Sequence, residues 1–399
     1  MKVFQRYASC LALVATLLFN TPASAHELTG YLLAEGRVFA DSAIHEGQRD
    51  HSASFAVQPE YYHEFESGSS FTFVPFYRWD AVDPNRSHFD LRELTGLYLA
   101  DDYELRFGVR KVFWGATEFL HLVDIVNQTD LVENVDTEDK LGQPMLNLSV
   151  ARDWGVFDVF VLPYFRERTF TGTRGRLRGQ VPIDDRQTRY ESAAEQWHTD
   201  FAFRYTQTFD DLDIGLSHFT GTGRDPILID GRDDGGAPVK IPLYPQINQT
   251  SLDGTYVHGE WLWKSEALFR AGQGDDYFAW TGGFEYTFTG FLGSRADLGV
   301  LMEGMYDDRG DLASTPFNHD IALGLRLALN DLPSTELLAG FVQDAHSDAR
   351  NLFLEAERRI GERWKLSLEI RADFGQSEGD FLFEQRADDF GQLELFYYF

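Results

Sequence analysis

The sequence predicts an all-β fold: a membrane-spanning antiparallel up-and-down β-barrel of about eighteen strands, or sixteen if the hairpin around 334–360 does not form. Three observations predict it. Several segments alternate apolar and polar residues over ten to twelve positions. The connections between them alternate between short and long. The chain ends on an aromatic residue that completes its last alternation.

From the N-terminus, residues 1–25 read as a cleaved signal peptide. Lys2 and Arg6 precede the apolar run Leu11–Phe19, and Ala23-Ser24-Ala25 offers the small-residue cleavage site. Residues 26–399 then form one barrel domain. The only cysteine is Cys10, inside the leader, so a disulfide-stapled secreted fold is excluded. Removing the leader leaves 33 basic and 64 acidic residues, a net charge of −31. Such a chain repels nucleic acid and anionic lipid surfaces. It suits an acidic surface beside a cation-bridged lipopolysaccharide layer. No run of about eighteen apolar residues follows the leader, so no helix crosses a membrane, but that test is blind to strands.

The strands are expected to begin near 28, 52, 69, 87, 103, 143, 156, 196, 212, 246, 260, 276, 294, 317, 334, 349, 363 and 389. Residues 363–374 set Trp364, Leu366, Leu368, Ile370, Ala372 and Phe374 on one face, with Arg363, Lys365, Ser367, Glu369, Arg371 and Asp373 on the other. Residues 320–330 repeat the pattern, with Ile321, Leu323, Leu325, Leu327 and Leu329 sharing a face. After even-numbered strands the connections are tight, as at Ser67-Gly68, Asp101-Asp102 and Gly361-Glu362. After odd-numbered strands most are longer. That asymmetry marks short periplasmic turns and long external loops. Tyr61, Tyr77, Trp79, Trp154, Trp197, Trp261, Trp263 and Trp364 fall near strand ends, where girdles at headgroup level take amphipathic rings.

Catalytic patterns are missing. There is no His-Glu-x-x-His, no Gly-x-Ser-x-Gly and no phosphate-cradling glycine loop. His121 and Asp124 sit three apart without a third ligand, so neither a metal nor a cofactor is expected, and the chain is read as a non-enzyme. The polar strand faces carry the stronger signal. Arg106, Arg110, Arg166, Arg204, Arg270, Arg326 and Arg371 lie opposite apolar neighbours, on the side that Glu260, Glu266, Glu303, Glu355 and Glu369 share. An arginine facing lipid at mid-depth costs roughly 2–4 kcal/mol, so this face belongs to a watery lumen. Its charges either pair structurally or form an eyelet that orients a solute.

The connection after the fifth strand, 114–142, is the third external loop. Phe119, Leu122, Val123 and Val126 recur at helical spacing, and Thr117 with Glu118 could start a short helix. An apolar helix face needs a wall, so the loop is expected to fold into the barrel and narrow it. Glu118, His121, Asp124 and Asp130 join the wall arginines as constriction candidates.

Two resemblances follow. Stepping back by two from the last residue gives Phe399, Tyr397, Leu395 and Leu393, which resembles the C-terminal assembly signal of Gram-negative outer-membrane barrels. The likeness implies an outer-membrane location and recognition by the barrel assembly machinery. The third loop is similar to that of porin-like outer-membrane proteins, in which Gly-x-Arg-x-x-x-x-Trp-Gly leads to Asp-x-x-Asn-x-x-Asp. The matching residues are Gly108, Arg110, Trp114-Gly115 (one residue closer to the arginine), Asp124, Asn127 and Asp130, and residues 261–270 share the family's flavour. In general porins the third loop makes the constriction. The resemblance implies a channel for small hydrophilic solutes, as a monomer or homotrimer among outer-membrane lipid and lipopolysaccharide. It names no solute. The alternatives are an exporter of an anionic polysaccharide, which requires an arginine-dominated lumen, and an outer-membrane barrel enzyme.

Overall fold

The computed structural model describes residues 26–399, and the expected signal peptide lies outside them. In chain order the strands are β1 (His26–Phe39), β2 (His51–Glu64), β3 (Ser70–Asp80), β4 (His88–Leu99), β5 (Glu104–Arg110), β6 (Gln143–Arg152), β7 (Gly155–Leu162), β8 (Arg189–Tyr190), β9 (Asp200–Phe209), β10 (Leu212–Thr222), β11 (Ile227–Arg232), β12 (Pro238–Tyr244), β13 (Gln246–His258) and β14 (Trp261–Ala271). They continue as β15 (Tyr277–Phe288), β16 (Asp297–Asp307), β17 (His319–Ala328), β18 (Glu336–Asp344), β19 (Arg350–Ile360), β20 (Trp364–Phe374) and β21 (Phe390–Tyr398).

All but β8, β11 and β12 pair antiparallel with their chain neighbours, and β21 returns to pair with β1, closing an 18-stranded barrel. The hairpin at 334–360 is present as β18–β19, so the count is eighteen and not sixteen. Every expected start falls within four residues of the observed one. Two of the short connections are longer than expected, at 289–296 and 329–335. The other departure is a three-stranded sheet outside the barrel. The hairpin β11–β12 pairs parallel with β8 and ties the connection 163–199 to the connection 223–245. Phe165 packs edge to face on Tyr190 and Tyr244 of this sheet, whose rings stack on each other.

Burial identifies the two faces. Along β17, Ile321, Leu323 and Leu325 are exposed while Asp320 and Ala322 are buried. The same inversion recurs at Phe107, Leu146, Leu252, Phe269 and Leu395, which all point outward and are exposed. An apolar outer belt with a charged interior is unstable in water and suits hydrocarbon. The third-loop strand β5 also contains a position that only glycine can fill. Gly108 has φ +123°, and a Cβ there would lie 2.0 Å from the carbonyl oxygen of Leu94 on the paired strand. Gly108→Val is therefore expected to destabilise the barrel by about 1–3 kcal/mol from backbone strain alone, with the clash adding to it. Gel migration of folded against heat-denatured protein reads this. An unchanged yield of the folded band would contradict it.

Candidate functional site

Residues 111–142, between β5 and β6, turn into the barrel. Trp114, Val123, Ile125 and Val126 pack on Met145, Phe160, Leu162, Ala202, Phe219 and Ile247, on the inner faces of β6, β7, β9, β10 and β13. Leu122 meets Leu268, Tyr277 and Ala279. Phe119 and Leu120 reach Met305, Ala322 and Val342. The loop thus spans the lumen from one wall to the other.

The expected helix from Thr117 does not form, and the segment is irregular throughout. Its backbone donors go to the wall instead. The Glu266 carboxylate accepts from the N–H groups of Ala116, Thr117 and Val123 at 2.6, 3.0 and 3.1 Å, and from the Thr117 hydroxyl at 2.7 Å. Glu303 accepts from the N–H groups of Glu118 and Phe119 at 2.9 and 3.1 Å. Asn127 accepts from the Val112 N–H at 2.9 Å and donates to the carbonyls of Arg110 and Leu141. A buried amide must find an acceptor, and charged acceptors outcompete helical carbonyls.

The far arm of the loop is locked by buried ion pairs. Arg92 lies 2.8 Å from Asp130 and 3.0 Å from Asp90. Arg78 spans Glu35 at 2.8 Å and Glu133 at 2.7 Å. Arg86 spans Glu35 at 2.5 Å and Asp80 at 3.1 Å, and donates to the Val132 carbonyl at 2.8 Å. His88, Asp130 and Glu133 bring ligand-type atoms within 4.8 Å of one another. Guanidinium groups already sit on both carboxylates, so the cluster reads as part of the lock and not as a metal centre.

Opposite this lock, a cavity of about 1120 Å³ remains between the loop and the inner faces of β14–β20, roofed by parts of 163–199 and 223–245. Of the residues singled out from sequence, Glu118, His121, Asp124, Arg270, Arg326 and Arg371 line it. Glu118 pairs with Arg326 at 2.6 Å and Lys264 at 3.3 Å. Burial works against its charge, yet those two cations hold its carboxyl below the usual range. Asp124 pairs with Lys140 at 3.1 Å. Burial disfavours the His121 cation, but Glu138, Glu266 and Asp124 keep its pKa above the ordinary value. Arg270 bonds Gln249 at 2.8 Å and shares Asp225 with Arg168. Arg371 bridges Asp136 and Glu355, each at 3.3 Å, and bonds Glu369. Burial pushes Asp136 up to about 6 against the pull of Arg371.

The other five lie elsewhere. Arg106 is held by Glu104. Arg110 donates to Asn147 at 2.9 Å. Arg204 pairs with Asp253 at 2.7 Å beneath the Trp114 ring, and Asp130 belongs to the lock. Arg166 was expected on a strand, but β7 ends at Leu162. From the following loop its guanidinium reaches Asp90 at 2.6 Å and the Gly142 carbonyl at 2.8 Å. Leu393, Leu395 and Tyr397 lie on the outward face of β21 and Phe399 follows its last residue, with Leu393, Leu395 and Phe399 exposed. Sequence reading missed Arg168, Asp225, Arg309 and the wall acids Glu336 and Glu357, which also line the cavity. The alternation of β18 and β19 marks the two glutamates as inward. Nothing local marks the loop residues.

No family model matches the sequence, and no curated protein does. Among solved structures the chain is similar to OpdQ of Pseudomonas aeruginosa, at 11% identity and a TM-score of 0.54, covering 95% of this chain and 99% of that one. It also matches a loop-deleted OmpT of Vibrio cholerae (9%, TM-score 0.49, 95% and 100% covered) and a Rh. blastica porin variant (11%, TM-score 0.45, 94% and 100% covered). At 11% identity the likeness to OpdQ is one of fold, a closed antiparallel β-barrel.

Proposed function

We propose that this porin-like barrel is an outer-membrane channel for passive diffusion of small hydrophilic solutes. The observation that carries the reading is the charged cavity of about 1120 Å³ left open between the third loop and β14–β20. It is large enough for a small hydrated solute, and the loop that bounds it is fixed by hydrogen bonds and ion pairs on its other sides. The apolar outer belt supports residence in a bilayer. In this reading the long connections face outward beside lipopolysaccharide. The outward residues of β21 are what an assembly machinery would engage, and further copies of the chain could pack wall to wall as a trimer. The reading assigns no catalytic role to any residue.

The polysaccharide-exporter alternative required an arginine-dominated lumen. Twelve carboxylates against eight lysine and arginine side chains line the cavity, which runs against it. Purified protein refolded into planar bilayers is expected to show discrete conductance steps. Folded barrels that insert and leave the bilayer closed would overturn the channel reading.

A further inference from the structure

Resting on the channel reading, we infer that the lumen passes cations, inorganic or small organic, in preference to anions. The passage is bordered by a carboxylate track. Cross-strand register places Glu355 directly opposite Glu369, and Glu336 directly opposite Glu357, with all four side chains on the cavity wall. Asp373 continues the line one step beyond Arg371 on β20. Asp136 and Glu138 face the track from the third loop.

Seven carboxylates are thus answered by two permanent cations and by the His121 ring, 3.9 Å from Glu138. Arg371 is shared among Asp136, Glu355 and Glu369, and Lys365 reaches Glu357 at 3.1 Å. Farther toward the long-loop rim, Asp320 also stands directly opposite Asp344. Like charges directly opposed across strands are unfavourable. The lock on the other side of the loop shows how this fold neutralises carboxylates it needs only for structure, since two guanidiniums converge on Glu35. The track has no such complement. Cations entering the lumen would relieve its repulsion, and the same field would exclude anions.

The basic residues on the rest of the cavity wall do not cancel this field. Arg168 and Arg270 are both on Asp225, Arg309 is on Asp307, Arg224 is on Asp200, and Arg326 is on Glu118 and Glu285. Two cations are left without a carboxylate of their own, one of the pair that shares Asp225 and Arg178, which bonds backbone carbonyls, against a track excess of five carboxylates.

Reversal potentials of the refolded full-length barrel in a potassium chloride gradient test the inference. The expected sign is that of a cation-preferring pore, strengthening as ionic strength falls. Glu355→Gln with Glu369→Gln and Asp373→Asn is expected to lower the cation-to-anion permeability ratio by at least about threefold. Arg371→Gln is expected to move it the other way. An anion-preferring or unselective wild-type pore, or a triple variant that conducts with an unchanged ratio, overturns the inference and leaves the channel standing. A folded wild-type barrel without conductance overturns both.

Discussion

Glu266→Leu is expected to raise single-channel conductance at least about twofold and to make the open level noisy. Glu266 is fully buried on β14 and forms no ion pair within 4 Å among the described residues. Its charge is met by four donors, all from the third loop. Hydrogen bonds to a charged acceptor contribute about 1.5–3 kcal/mol each, so losing the set outweighs what Leu122 and Phe119 gain from their wall contacts. Leucine fits beside Leu268 on the same inner face and leaves the outer wall untouched. The arm 116–123 is then left with unpaired amides and is stabilised by moving into water, which widens the passage. Glu266→Gln is expected to fall between, because its NH₂ group would face a loop donor. Parent-like conductance and noise in Glu266→Leu would mean that apolar packing alone seats the loop.

The second large effect is on stability. Arg86→Met is expected to cost about 3–5 kcal/mol, read as a lower urea or thermal midpoint of the folded gel band. Arg86 is buried and holds Glu35, Asp80 and two carbonyls of the third loop. Its loss leaves Glu35 with Arg78 as its remaining ion-pair partner, in a site closed to solvent. Adding Glu35→Gln to Arg86→Met is expected to recover part of the cost, because the charge left behind is what destabilises. Additive losses in the double variant would show that the pair is not coupled.

The barrel was legible because its chemistry is local. Period-2 alternation and tight turns such as 153–154 and 210–211 set each hairpin by nearest neighbours, so strand starts fell within four residues. The third loop was legible as an inward segment from its apolar residues. Its conformation was not, because the acceptor for Ala116 and Thr117 lies about 150 residues away at Glu266. Helical spacing at 119–126 describes which residues are apolar. It does not show where their amides bond. Arg166 was named but placed on a strand that ends at Leu162, and the sheet of β8, β11 and β12 was missed, since a parallel pairing between two loops leaves no periodic trace. The lock of Arg78, Arg86 and Arg92 was not read from the sequence: Arg86 lies in the connection between β3 and β4, and the partners Asp130 and Glu133 come from the third loop.

The closing seam has a consequence for how the molecule is made. All seventeen other contacts in the ring join strands linked by a turn or a loop of at most 37 residues. The β1–β21 contact alone joins the two ends of the chain: Arg37 bonds Gln392 at 2.6 Å across 355 residues. Until the nine residues of β21 dock, the sheet presents two open edges, the longer being the fourteen residues of β1. Open edges recruit foreign strands, and distant contacts form slowly. A nascent chain of this design is therefore most prone to aggregation just before completion, and its final segment decides between a sealed cylinder and an adhesive sheet.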